Sequence, residues 1–255
     1  MSITSYPEVI LEGTPFDLQV SRGDVFGHEA LFKFGFNPDV NGTEETIWTQ
    51  GGNYPWPTAA FTAYIVSDAA ADTSAGTGAR TVTVQGLDEN YVFQSVDVSL
   101  NGTTEVQIGD ANGWLRVFRA FVLTAGSAGT AAGTIRVQTT GGGTVYANLS
   151  AGNQTQMALY TVPAGKTLFL DDINFTAAIT QANNYAQVSF SAREFGGVFR
   201  DKYINVLQSN QLISKYEYPI RFPEKTDMEC RAFCSNSNNL IGASFQGVLV
   251  DNNLL

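Results

Sequence analysis

Residues 157–171 read Met-Ala-Leu-Tyr-Thr-Val-Pro-Ala-Gly-Lys-Thr-Leu-Phe-Leu-Asp. On both sides of Pro163-Ala164-Gly165 the residue types alternate, so that Leu168 and Leu170 share one face of an extended chain. Alternation with a period of two, broken by proline and glycine, predicts a strand, a turn and a second strand. This stretch therefore indicates β-structure, and similar runs continue to the end of the chain.

Seven alternating runs follow residue 154, with turn residues between them. They cover approximately residues 155–162, 167–176, 184–195, 198–208, 212–222, 226–235 and 241–251. Pro219 and Pro223 accompany the fifth run and predict an edge strand, because proline cannot donate a hydrogen bond to a neighbouring strand. No long stretch has the 3.6-residue period of a helix, so we expect little helix.

Shorter runs with glycine-rich turns occupy residues 61–150. Within them, Asn101-Gly102 separates the alternating runs 91–100 and 103–108 and predicts a hairpin. The spacing of runs and turns favours an all-β fold built from an antiparallel β-sandwich, of the jelly-roll or Ig-like kind. We expect two packed sandwiches, at 61–150 and 151–255, and one large sandwich over 61–255 is the alternative.

Residues 1–60 differ from the rest and predict an extended, aromatic-rich N-terminal segment. A short alternating run at 31–36 predicts a strand that ends at Asn37-Pro38-Asp39. The large aromatic side chains of the segment are the candidates for an assembly interface: Phe32, Phe34, Phe36, Trp48, Tyr54 and Trp56. Two interpretations remain open, since the segment could cover the chain's own sandwich or dock on a neighbouring subunit.

Composition and charge exclude several classes of protein. The chain has 255 residues, 44% of them hydrophobic and 15% charged, and a formal net charge of −10 from 14 basic and 24 acidic residues. This charge repels phosphate backbones, so we expect no nucleic-acid binding. No apolar run approaches the length that spans a membrane, and the first residues have no basic and apolar regions typical of a signal peptide. We therefore expect that the protein is made in a cytoplasm and does not associate with a membrane.

The sequence contains no recognisable catalytic or metal-binding constellation. Cys230 and Cys234 lie on one face of a predicted strand about 13 Å apart, too far to form a disulfide with each other, and are expected to be buried. His28 is the single histidine and has no partner pattern for zinc or for a catalytic triad. We therefore predict that the protein is not an enzyme and has no catalytic residues, cofactor or metal.

Several phrases along the chain resemble virion structural proteins of tailed bacteriophages, especially marine phages. Among them are Phe-Gly-Phe-Asn-Pro-Asp-Val at 34–40 and Tyr-Thr-Val-Pro-Ala-Gly-Lys-Thr at 160–167. The others are at 72–80, 86–88, 100–104, 116–120, 195–199, 223–227 and 245–251. The phrases span nearly the whole chain, and the family offers no catalytic residues to transfer.

The resemblance implies an all-β, multimeric component on the outside of a virus particle, made in the host cytoplasm. We expect a capsid decoration (cement) protein that binds the major capsid protein or other virion proteins, as a homotrimer or another homo-oligomer. Two alternatives remain: a neck, collar or tail-attachment protein, and a receptor-binding or carbohydrate-binding β-module.

Overall fold

The computed structural model describes residues 13–150, 152–236 and 238–255. Residues 1–12 of the predicted N-terminal segment and residue 151 at the predicted domain boundary lie outside the described residues. Strands make up 54% and helices 4% of the structure, which confirms the all-β prediction and the low helix content.

The described residues form one short α-helix, α1 (Phe16–Ser21), and a C-terminal 3-10 helix (Asn252–Leu254). The strands in chain order are β1 (His28–Val40), β2 (Glu45–Thr46), β3 (Tyr64–Ser67), β4 (Ala79–Leu87), β5 (Phe93–Ser99), β6 (Val106–Gln107), β7 (Arg116–Ala125), β8 (Ile135–Gln138), β9 (Val145–Leu149), β10 (Leu159–Thr161), β11 (Lys166–Ala178), β12 (Ala186–Arg193), β13 (Arg200–Leu207), β14 (Gln211–Phe222), β15 (Asp227–Cys234) and β16 (Asn239–Asp251).

These strands form four small antiparallel sheets. Sheet I has the order β1-β16-β11-β14, and sheet II has the order β10-β15-β12-β13, with β2 also paired to β15. Sheet III has the order β6-β3-β8-β9, and sheet IV the order β5-β4-β7. The sheets are arranged like a four-bladed propeller, and the predicted β-sandwich is not confirmed.

The strand-turn-strand prediction for residues 157–171 is confirmed, but its two strands belong to different sheets. β10 pairs with β15 in sheet II, whereas β11 lies between β16 and β14 in sheet I. Gly165 in the turn has φ 77°, a left-handed conformation that glycine adopts without steric cost. The seven predicted C-terminal runs correspond to β10–β16, and β14 is an edge strand, as the prolines predicted.

Two local predictions need correction. Asn101-Gly102 turns the chain but does not form the predicted hairpin, because β5 pairs with β4 in sheet IV while β6 pairs with β3 in sheet III. The strand at 31–36 does not end at Asn37-Pro38-Asp39: β1 continues to Val40 and its register with β16 shifts between Asn37 and Val40. An edge strand tolerates Pro38, because one side of its backbone needs no partner.

Buried apolar side chains from Leu31 to Leu249 form one continuous core cluster. Phe190 of β12 lies against Phe245 of β16, with ring centroids 5.4 Å apart, and connects sheets I and II. Phe118 of β7 lies 4.7 Å from Tyr160 of β10 and connects sheets IV and II. The domain limits 61–150 and 151–255, and the single unit 61–255, stay predictions.

Candidate binding site

The three phenylalanines of β1 share one face, and this face points away from the core. Phe32 is 59% exposed, Phe34 and Phe36 are half-buried, and the rings of Phe32 and Phe34 stack 6.0 Å apart. The opposite face packs inward through the smallest residue available, Gly35, where a Cβ would lie 2.2 Å from the main-chain nitrogen of Ala158. A larger side chain at position 35 would not fit here, so Gly35 permits the close packing of this buried face.

Trp48 and Tyr54 are buried in the core of their own chain. Their rings meet edge to face at 5.2 Å, and the indole N–H of Trp48 donates to the carbonyl of Gly52 at 3.0 Å. The hydroxyl of Tyr54 donates to the carbonyl of Val117 at 2.8 Å, and burial raises the pKa of Tyr54. These two side chains therefore anchor the aromatic segment to the chain itself and present no surface to a partner.

Trp56 is half-buried and lies at the border between the core and a group of charges. Its ring contacts those of Tyr54 at 4.8 Å and Phe199 at 5.5 Å. The guanidinium groups of Arg116 and Arg193 lie 5.4 and 5.8 Å from the centroid of the indole, within range of cation–π attraction.

Asp227, at the start of β15, binds both of these arginines. Its carboxylate accepts from Nε of Arg116 at 2.9 Å, from a terminal nitrogen of Arg193 at 2.6 Å, and from the hydroxyl of Thr161 at 2.7 Å. The side chains of Arg116 and Asp227 are 4% and 5% exposed. Burial disfavours the guanidinium charge, but the hydrogen bonds and charge of Asp227 outweigh it and raise the pKa of Arg116. We call Arg116, Asp227 and Arg193 the ion cluster.

A second group of contacts attaches β2 to sheet II. The hydroxyl of Thr46 donates to the carboxylate of Glu229 at 2.6 Å, and Arg231 forms an ion pair with Glu44 at 2.7 Å. Burial raises the pKa of Glu229, and the hydrogen bond from Thr46 opposes this effect. The aromatic segment is thus attached by polar contacts as well as by Trp48 and Tyr54.

A pocket of about 310 Å³ opens beside the ion cluster. We call it the cationic pocket, and its walls include Tyr91, Arg116, Arg193, Phe195, Lys225 and Asp227. The ammonium of Lys225 lies 5.6 Å from the ring centroid of Tyr91 and 5.4 Å from that of Phe195. Phe195 is 68% exposed, so one wall of the pocket is an open aromatic ring.

β13 is an edge strand of sheet II and β14 is an edge strand of sheet I, and we call these two consecutive strands together the open edge. Within the described residues β13 pairs only with β12, and β14 only with β11. Exposed apolar side chains accompany these unpaired strands: Ile204, Val206, Ile213 and Tyr218. Tyr218 is 81% exposed and lies where the register of β14 against β11 shifts, between Lys215 and Ile220.

No group of three or more histidine, cysteine or acidic side chains that could hold a metal ion is found within the described ranges. Cys230 and Cys234 are free and buried, as predicted, and burial raises the pKa of Cys234 to about 11. None of the helices in the described part of the chain is long and apolar enough to cross a membrane.

Sequence reasoning did not identify the ion cluster, the cationic pocket or the open edge. Arg116 and Asp227 are 111 positions apart in the chain, so no local motif joins them. The glycines of Phe195-Gly196-Gly197 indicate a turn, which could have suggested an exposed phenylalanine. Nothing in the sequence, however, places Tyr91 or Lys225 beside this turn.

No family model matches the chain, and no curated protein matches it. Among solved structures, the structure of the infectious bursal disease virus Gx strain contains a chain that is similar to this one. The similarity covers 88% of this chain and 73% of the viral chain, with 9% sequence identity and a TM-score of 0.25. The crystal structure of the infectious bursal disease virus VP2 subviral particle is similar over 89% of this chain and 73% of that chain, with 9% identity and a TM-score of 0.26. Similarity at these TM-scores identifies neither a shared fold nor a shared function.

Proposed function

We propose that this chain is a structural component of a tailed-bacteriophage virion, a capsid decoration protein that binds the major capsid protein. The sequence phrases that resemble phage virion proteins support the setting. The open edge is the observation that carries the assembly role, because unpaired strands with exposed apolar side chains are ready to bind another chain.

The open edge combines features that limit association with exposed apolar side chains. Proteins usually protect an edge with charges, proline or a bulge, and β14 has Pro219 and a register shift near its end. Exposed charges also lie on these strands, among them Lys202 on β13 and Lys215 on β14. Ile204 on β13 and Ile213 on β14 are nevertheless exposed apolar residues. Large apolar and tyrosine side chains on an exposed surface are typical of interfaces, and Tyr218 is the most exposed of them.

Decoration stabilises a shell by mass action. A protein that binds only the assembled capsid lowers the free energy of that state, so opening of the shell costs more. In this proposal the chain binds rather than catalyses, forms a homotrimer or another homo-oligomer, and contacts neither nucleic acid nor membrane, in keeping with its net charge of −10.

The test is titration of the purified protein onto capsids that lack it, followed by cosedimentation. We expect saturable binding, which Tyr218→Ser weakens at least about tenfold because an interface tyrosine is a common hot spot. Leu123→Ser is the control, since it removes another exposed apolar side chain from β7, outside the open edge. Substitution of Trp48 is unsuitable, because loss of a buried tryptophan changes folding as well as binding.

Three results would each contradict part of the proposal. Absence of binding to capsids would remove the decoration role, and equal weakening by Tyr218→Ser and Leu123→Ser would remove the open edge as the contact surface. Sedimentation of the free protein as a monomer would contradict the homo-oligomer.

A further inference from the structure

We propose that the cationic pocket binds the carboxylate of an acidic sugar, a hexuronic acid unit of a glycan. Its volume of about 310 Å³ lies at the lower end of the range for small-molecule sites and suits one sugar ring. The inference does not rest on the virion role, because it uses only the charges and rings of this pocket.

The pocket is locally positive in an acidic protein. Its walls contain three cations, Arg116, Arg193 and Lys225, and two carboxylates, Asp227 and Glu194, which leaves one excess positive charge. The whole chain has a net charge of −10. An excess of positive charge in a concave site attracts an anionic ligand.

Lys225 is the cation that remains available. The two arginines already donate to Asp227, whereas the ammonium of Lys225 lies over aromatic rings. Within the described residues it has no hydrogen-bond acceptor and no ion-pair partner. An ammonium is a strong donor with three hydrogens. A ligand carboxylate would complete its coordination with a charge-assisted hydrogen bond.

The aromatic wall selects a ring rather than a bare anion. Phe195 lies edge to face with Tyr91 at 5.9 Å and keeps an open surface to the solvent. The negatively polarised face of an aromatic ring attracts C–H groups of the kind that a sugar ring presents. A uronic acid carries both features, since its carboxylate is attached directly to such a ring.

Phe195 lies in a tight turn that the chain's own contacts define. Gly196 has φ 75°, in the left-handed region, and the N–H of Gly197 donates to the carbonyl of Glu194 at 2.8 Å. This tight turn holds Phe195 beside the pocket, so binding would require little ordering of the chain.

Isothermal titration of the purified protein, without capsids, with D-glucuronate, D-glucose and acetate tests this site. We expect D-glucuronate to bind at least about tenfold more tightly than D-glucose, which lacks the charge, and than acetate, which lacks the ring; tenfold corresponds to 1.4 kcal/mol. We expect Lys225→Gln and Phe195→Ser each to weaken D-glucuronate binding by a similar factor.

Lys202→Gln is the matched control, because it removes an exposed lysine on β13 and should leave binding unchanged. Thermal unfolding of each variant verifies folding. Residue 225 has φ 61°, and glutamine meets the same steric cost there as lysine, so Lys225→Gln adds no backbone strain. Absence of D-glucuronate binding to the wild-type protein overturns the proposal. So does equal binding of acetate, which would show an anion site only, or equal loss in Lys202→Gln and Lys225→Gln. Because no capsid is present, these outcomes are independent of the decoration test.

Discussion

Asp227→Asn is expected to destabilise the protein by about 3 kcal/mol, because it leaves the buried guanidinium of Arg116 and the partly exposed guanidinium of Arg193 without their shared counter-charge. Removal of one partner from a buried ion pair typically costs about 3–5 kcal/mol. The side chain of Arg116 is 4% exposed and takes the full effect, whereas that of Arg193 is 27% exposed and is partly screened by water. The expected value therefore lies at the lower end of that range.

Urea unfolding monitored by tryptophan fluorescence measures this change. With a slope of about 3 kcal/mol per molar urea, a loss of about 3 kcal/mol lowers the midpoint by about 1 M. Asp97→Asn is the control, because Asp97 is exposed and accepts a hydrogen bond from the hydroxyl of Thr83, so the substitution should cost less than about 1 kcal/mol. Equal midpoints for the two variants would refute the claim that the ion cluster stabilises the contact between β7 and β15.

Three further changes test the packing and electrostatics. Desolvation lowers the pKa of Lys33 to about 7, so the unfolded chain binds a proton that the folded chain lacks between pH 7 and 10.5. As the pH rises from 7 to 9, the unfolding free energy of the wild type should therefore increase relative to that of Lys33→Met, by up to about 1.4 kcal/mol per pH unit. A difference between the two proteins that does not change with pH would contradict a buried neutral lysine. Gly35→Ala should lower the free energy of unfolding in urea by about 1–3 kcal/mol, because the added Cβ would overlap the backbone of Ala158. Gly42→Ala is the control, because position 42 has room for a Cβ. Equal effects of the two substitutions would argue against the contact between Gly35 and Ala158. Hydrogen bonds from a neighbouring turn lower the pKa of Glu105 to about 2, so Glu105→Gln should be less stable than the wild type above pH 4.5, with the difference lost as pH falls through about 2; a difference that persists there would exclude the carboxylate as its source.

Local patterns predicted the C-terminal strands well. Alternation and turn residues are short-range signals, so β10–β16 were found close to their bounds, and Pro219 identified β14 as an edge. The same signals do not specify which strands pair. His28 lies opposite Val250, and Asn101-Gly102 separates strands that join different sheets, because pairing is decided by burial across the whole chain.

The orientation of β1 was also beyond local signals. Its alternation places Phe32 and Phe34 on one face, but contacts with distant residues bury the opposite face, where Gly35 lies against Ala158 and Lys33 points inward. Tertiary contact here overrides the hydrophobicity of the residues, which is why the aromatic face of β1 is exposed while a lysine is buried.

The predicted assembly residues divide into two groups. Trp48 and Tyr54 are large aromatic residues of the kind that dominate interfaces, yet in this chain they fill its own core. Composition cannot distinguish an aromatic anchor of a neighbour from an anchor of the chain itself, because both need the same apolar area. Phe32 is exposed, and Phe34, Phe36 and Trp56 are half-buried. The role of the six residues in assembly stays a prediction.

The position of the chain in an assembled particle tests the central claim most directly. Electron microscopy of virions that carry a label on this protein should show signal over the whole head, repeated with the capsid lattice, if the protein decorates the capsid. Signal at a single vertex would contradict decoration in favour of a neck, collar or tail attachment, and particles without signal would contradict a virion structural role.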